Sequence, residues 1–273
     1  MAVDISIERI SPKVAKDWLE SSNPDNRPIR KGVVDRYARD IKAKKWNMTG
    51  DAIRFNGNGM LIDGQHRLAA IVKAGKGIKT IVIRGLDQRA KMLIDTGAKR
   101  GFADVLHYMG YKDRNQLAAL VRWCWMYENG HLMTRTVPTT AELIEWLDNN
   151  PDVVHSNAFV CRHIPYFGLK TILASIHYYT RTSLPGEAEA FLTTIKEGQD
   201  ISSGHPVFTL RRWLMWAMSS SKRPLPIVTQ GIVIKSWNAF IEGRKIDNLR
   251  FIPGGSRPEK FPTIVTQYPG TMK

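Results

Sequence analysis

Five consecutive residues, Asp63-Gly64-Gln65-His66-Arg67, bring a carboxylate, an imidazole and a guanidinium together. They stand between the apolar run Met60-Leu61-Ile62 and a stretch in which Leu68, Ile71 and Val72 recur at i, i+3 and i+4. That pattern predicts a strand running through a polar knot into a helix that starts at about Gln65. Asp63 stands where an N-cap belongs, and Gly64 allows the backbone a sharp turn. A helix N-terminus is the positive end of the dipole, and an arginine fork suits phosphate, so the chemistry expected here is anion binding. Gly64, Gln65 and His66 would present backbone N–H groups to phosphate while Arg67 clamps it. Asp63 and His66 are also the motif groups suited to acid–base work, and Asp63 could hold Mg²⁺ through water. The simpler alternative is a structural knot in which Asp63 caps the helix and pairs with Arg67.

A second polar knot follows at Asp95-Thr96-Gly97-Ala98-Lys99-Arg100-Gly101. Its Asp caps the next segment, or else it faces the first knot. In the latter case Lys99 and Arg100 close the far side of an anion site and Asp95 joins Asp63 as a metal ligand.

The string Asp63-Gly64-Gln65-His66-Arg67-Leu68 after an apolar strand resembles the signature of the ParB N-terminal/sulfiredoxin-like superfamily, in its DGQHR branch. The resemblance covers about residues 4–105, and the Asp95-x-Gly97 knot followed by Arg100 is similar to others of that branch. It implies a small mixed sheet with helices, and a Gly-x-x-Arg knot that contacts nucleotide phosphates. It further implies a nucleoside triphosphate, CTP or ATP, with Mg²⁺ as cofactors. Two departures matter. Gln65 takes the place of the Cys that sulfiredoxin needs, which removes reductase chemistry. Leu68 stands where partition proteins carry a second Arg, which leaves their CTP switch without its residue.

Several elements must position the knot. Asp4–Ile10 alternates isoleucine with polar residues as a half-buried strand does. Ser11-Pro12 opens a helix to about Ser21, and Asn23–Pro28 is a loop. Residues 31–45 form a strongly basic helix with Val33, Val34, Tyr37 and Ile41 as its buried stripe. Its Arg36, Arg39 and Lys42 are DNA-phosphate candidates. Ala52–Phe55 and Met60–Ile62 flank Asn56-Gly57-Asn58-Gly59 as a hairpin. Ile78–Ile83 is a buried strand, and Gly85-Leu86-Asp87 is expected to begin a helix.

Beyond residue 105 strands stop. Helices are expected over 113–128, from the capping box Thr139-Thr140-Ala141-Glu142 to about 148, and over 150–161. Further helices are expected over 169–180, 183–196, from His205-Pro206 through Ala217, and over 227–240. From Gly243 the chain is Gly/Pro-rich, with its last ten residues expected to be mobile. The expected class is therefore α+β. A ParB/sulfiredoxin-like sheet domain (1–105) precedes an all-helical domain (106–243) and an irregular tail (244–273).

The chain of 273 residues carries 40 Lys+Arg against 25 Asp+Glu, a formal net charge of +15. Residues 1–102 hold 21 Lys/Arg against 11 Asp/Glu, so the excess sits mainly on the part with the motif. A basic surface draws polyanions, nucleic acid first among them. Arg211 and Arg212, near Lys222 and Arg223, are further DNA candidates. Cys124 and Cys161 read as core thiols outside any disulfide framework. No membrane span or secretory leader is legible, so the expected place is the cytoplasm. His-x-x-x-His, Cys-x-x-Cys, the P-loop string and Gly-x-Ser-x-Gly are all absent, against a zinc site, a P-loop NTPase and an α/β-hydrolase. His163 and His177 read as core histidines. Trp213, Trp216 and Trp237 read as core residues before base-stacking platforms.

These observations favour a nucleotide-dependent DNA-binding protein of the ParB-like class, with NTPase activity left open and oligomers allowed. The alternatives are a Mg²⁺-dependent DNA endonuclease using Asp51, Asp63 and Asp95 with His66 as base, a small-molecule kinase, or a non-catalytic phage interaction protein on the same fold.

Overall fold

The computed structural model describes residues 3–23, 26, 28–87, 90, 101–164, 169–199 and 201–268. The chain divides into two compact units. The first holds Met1–Lys99 with Thr136–Glu142, and the second holds Arg100–Arg135 with Leu143–Lys273. The boundary thus precedes the helix Phe102–Tyr108, which a border at 105 would have cut.

In the first unit β1 (Asp4–Ile10), β2 (Ala52–Asn56), β3 (Leu61–Asp63) and β4 (Ile78–Leu86) form one mixed sheet in the order β1-β4-β2-β3. β4 runs antiparallel to β1 and parallel to β2, while β2 and β3 form an antiparallel hairpin. Helices α1 (Pro12–Ser21), α2 (Lys31–Lys42) and α3 (Gln65–Ala74) accompany the sheet. Ile10, Val34, Ile41, Ile53, Phe55, Leu68, Ile71 and Val82 form the core between them. Ser11 caps α1 by accepting the Val14 N–H at 3.2 Å, with Pro12 in its first turn.

Two expectations change here. β4 continues through Gly85 and Leu86, so those residues end a strand and do not open a helix. The alternation of β1 is real, but its isoleucines point the other way: Ile5 and Ile7 are 65% and 55% exposed. The inward alternates, Ser6 and Glu8, are held by Arg84, whose guanidinium also lies 5.7 Å from the Trp18 ring centroid. At a sheet edge a satisfied ion pair over an indole competes with burial of isoleucine.

The second unit is helical: α4 (Phe102–Tyr108), α5 (Arg114–Glu128), α6 (Thr140–Asn149, opening in the first unit), α7 (Val153–His163), α8 (Lys170–Thr180), α9 (Pro185–Glu197), α10 (Pro206–Ser219) and α11 (Pro226–Ile241). Leu117, Leu120, Cys124, Phe191 and Trp237 lie in its core. The stretch after Gly243 is irregular yet integral. Leu249, Phe251 and Ile264 are buried, and Trp237 Nε1 donates to the Val265 carbonyl at 2.8 Å. Residues 269–273 of the expected mobile end lie outside the described residues. Among the described residues no helix is long and apolar enough to cross a membrane. The α+β class stands: a small mixed sheet with helices, then helices alone.

Four side chains differ from their expected surroundings. Cys161 is only partly buried, and His163 is exposed at the end of α7. Trp216 is 57% exposed and Trp213 half-buried, whereas Trp237 is core as expected. His177 is core too, its Nδ1 2.9 Å from Ser156 Oγ and its ring stacked on Phe159.

Candidate functional site

The Asp63–Arg67 knot joins β3 to α3 as expected, but the residues divide the work differently. The N-cap of α3 is Gly64, at φ +108°. A Cβ there would stand 3.1 Å from Ile53 Cγ1 and 3.2 Å from Ile53 Cα, so both conformation and close approach require glycine. Asp63 is therefore the end of β3 and not the cap. Paired across the hairpin with Arg54, its Oδ2 accepts from Arg54 Nη1 and, at 2.8 Å, from Arg67 Nη2. The same Nη2 donates to the Ala52 carbonyl at 2.9 Å. Arg67 Nη1 lies 4.0 Å from Asp51, and the Arg67 side chain is only 12% exposed.

The expected phosphate clamp is thus turned inward, and the knot is an Arg–Asp–Arg lock on the hairpin. This donor set does not fit Mg²⁺. Arg54 and Arg67 both pair with Asp63, and Arg67 also lies 4.0 Å from Asp51. Asp95, the other expected metal ligand, and the anion candidates Lys99 and Arg100 lie outside the described residues. Among the described residues no three His, Cys, Asp or Glu side chains cluster as a metal site would.

His66 lies at the second position of α3, and its Nε2 accepts the Arg30 backbone N–H at 3.0 Å. That nitrogen's lone pair is engaged, which removes it as a ready general base. Arg30 is the N-cap residue of α2. The N-terminal ends of α2 and α3 are therefore joined by one hydrogen bond, which brings two positive helix ends near each other. Arg30 and Lys31 are exposed at this junction. Gln65 is buried and accepts from Asn23 Nδ2 at 3.4 Å. The loop between α1 and α2 is fixed to β3 by Asn26 Nδ2, which donates to the Leu61 carbonyl at 2.6 Å, and by the Leu61 N–H on the Ser22 carbonyl. What the arrangement offers chemically is anion binding by helix ends and cations, with the Asp63 carboxylate and the His66 Nε2 already engaged.

The expected DNA-contacting residues are scattered. Arg39 forks onto Glu142, Nε to Oε1 at 2.9 Å and Nη2 to Oε2 at 3.3 Å, and also donates to the Val137 carbonyl at 2.8 Å. Arg211 donates to the Ile195 and Lys196 carbonyls at the end of α9. Arg212 Nη2 donates to the Asp247 carbonyl at 2.7 Å. These three guanidiniums are committed to internal acceptors. Arg36 is half-buried on α2, and Lys42 is exposed at its end. Arg9, Lys44, Lys76 and Lys79, which share no motif in the sequence, are assembled by the fold around one cleft. Lys76, between the turn glycines Gly75 and Gly77, and Lys79 just after them were the available signal, but Arg9 lies far away in the chain.

No family model matches this sequence, and no curated protein matches it. A solved structure described as a Pnob8-like ParB-N domain is similar over 85% of this chain and 94% of its own, at 13% identity and a TM-score of 0.23.

Proposed function

We propose that this protein is a nucleotide-dependent DNA-binding protein of the ParB-like class. The observation that carries the nucleotide half is the junction of two helix N-termini at the Arg30 N–H···Nε2 bond of His66, with Arg30 and Lys31 exposed beside it. A triphosphate is the common ligand that rewards converging N–H groups and cations with no competing carboxylate. Here Asp63 is already neutralised by Arg54 and Arg67. The phosphate-contacting residues are then Gly64, Gln65 and His66 of α3 with Arg30 and Lys31 of α2. Arg67 holds the turn from behind. CTP and ATP are the expected nucleotides, and any Mg²⁺ would be held by the phosphates, because the Asp63 environment repels it. The DNA half is supported by the formal charge of +15.

The same geometry disfavours the endonuclease alternative, since Arg54 and Arg67 both occupy the Asp63 carboxylate. The test is a thermal-shift panel of ATP, CTP, GTP and ADP, with and without Mg²⁺ and duplex DNA. One nucleoside triphosphate should raise the melting temperature of wild type, and the shift should vanish in Arg30→Ala/Lys31→Ala. Equal melting temperatures with every nucleotide would sink the reading.

A further inference from the structure

At the end of α3 opposite Gly64, the chain forms a cleft of about 620 Å³. Its walls come from three separate segments: Arg9 at the end of β1, Lys44 just after α2, and the turn from α3 into β4 with Lys76 and Lys79. Trp46 lines the same cleft and packs edge-on against Tyr37 at 5.3 Å. All four cations are exposed, and no carboxylate is among the described residues lining the cleft.

The backbone holds this arrangement in place. Gly77 lies so close to β1 that a Cβ would stand 2.8 Å from the Ile10 carbonyl oxygen, which pins the turn to the strand carrying Arg9. Lys44 takes a left-handed conformation at φ +60°, with the Lys45 N–H closing on the Asp40 carbonyl at 2.8 Å. In the β1–β4 register Arg9 stands directly opposite Lys79. Like charges placed opposite each other across strands are destabilising. Elsewhere the chain pairs such cations, as in Lys73–Asp35 and Lys235–Glu259. Among the described residues none of these four makes an ion pair. Lys76 alone has a polar partner, the Lys42 carbonyl at 3.1 Å. Four converging cations without an acid, two of them opposed, form a site that is completed by an anion with several charges.

We infer that this cleft is where a nucleic-acid backbone docks, its successive phosphates lying on Arg9, Lys44, Lys76 and Lys79 with Trp46 against the sugars. The inference rests on the DNA-binding half of the proposed function and gives it a place, distinct from the junction of α2 and α3 at His66.

The test uses the full chain in fluorescence anisotropy with a labelled 20-base-pair duplex and a labelled 20-nucleotide oligothymidine, titrated between 50 and 300 mM salt. Three proteins are compared: wild type, Arg9→Gln/Lys44→Gln/Lys76→Gln/Lys79→Gln, and a control with the same charge removed elsewhere, Lys13→Gln/Lys16→Gln/Lys112→Gln/Lys260→Gln. The cleft variant should bind about tenfold or more weakly at 0.1 M salt. Its salt slope should fall by about 0.9 for each lost contact on duplex or about 0.7 on single strand, and the strand form that shows this loss is the one that docks. The control should keep most of its affinity. Because Arg9 and Lys79 repel each other, Arg9→Gln/Lys79→Gln should melt no lower than wild type, which separates lost binding from lost folding. Equal losses in the cleft and control variants would overturn the cleft while leaving DNA binding intact. If wild type binds neither nucleic acid at 50 mM salt, the DNA reading and the cleft fall together.

Discussion

Arg67 shows how one side chain can suit a ligand and yet serve the fold. Its guanidinium satisfies Asp63 and the Ala52 carbonyl at once, so Arg67→Ala strips a partly buried carboxylate of one partner and a carbonyl of its donor. The loss should be about 1.5–3 kcal/mol of stability, the range for hydrogen bonds to charged groups. Urea midpoints would measure it. If Arg67→Ala lost nucleotide affinity at unchanged stability, the inward lock would be wrong. Gly64→Ala should be as damaging for a different reason. A positive φ costs roughly 1–3 kcal/mol in a non-glycine residue, and the new methyl would press on Ile53. In the helical unit, Gly198 also takes a positive φ, +68°, which favours glycine.

At the scale of elements, α2 is held to the first unit from two sides. His66 takes the Arg30 N–H at its start, and near its end Asp40 and Arg39 reach the Thr139–Glu142 capping box. There Glu142 accepts the Thr139 N–H at 2.6 Å, and Thr139 Oγ1 accepts the Glu142 N–H at 3.1 Å while donating to Asp40 at 2.8 Å. Thr139→Ala removes both the cap and the Asp40 partner, and should cost about 1–2 kcal/mol in urea unfolding.

Titration of these carboxyls gives a second check. Burial raises the Asp40 carboxyl above its ordinary value, more than the Thr139 hydroxyl lowers it. Burial also opposes ionisation of Glu142, but the Arg39 guanidinium and the Thr139 N–H outweigh it and hold that carboxyl below the usual range. A depressed folded value means that Glu142 stabilises above its ordinary pKa, and that this contribution is lost as pH falls through the depressed value. Glu142→Gln should therefore flatten the acid side of the stability profile. An unchanged slope would remove Glu142 from the account.

At the scale of the whole molecule, both units are basic, with 20 Lys+Arg against 12 Asp+Glu in the first and 20 against 13 in the second. The second contains His177, which burial, with help from His155 and Arg181, pushes down to about 4. Unfolded, it would protonate near 6.5, so the unfolded state gains protons first as the medium is acidified. Stability should fall from that pH down to about 4 and level off below it. The full drop is on the order of 3 kcal/mol at 1.36 kcal/mol per pH unit. His177→Gln should remove that sloping region in urea midpoints followed by tryptophan fluorescence.

The local pattern by itself determined the α+β class, the strand–knot–helix around Asp63, the Thr139 capping box and most helices of the second unit. These follow from periodicity, capping residues and turn glycines, which act over a few residues. Tertiary contact decided the rest. Whether Arg67 faces a ligand or Asp63 depended on the hairpin register that sets Arg54 beside Asp63. Whether the guanidiniums of Arg39, Arg211 and Arg212 found internal acceptors depended on carbonyls and carboxylates brought from distant segments. The cleft of Arg9, Lys44, Lys76 and Lys79 exists only because β1 pairs with β4 and Gly77 closes on Ile10. A guanidinium or ammonium reaches several ångströms to whichever acceptor folding delivers, so its role is set by neighbours in space, which spacing along the chain does not specify.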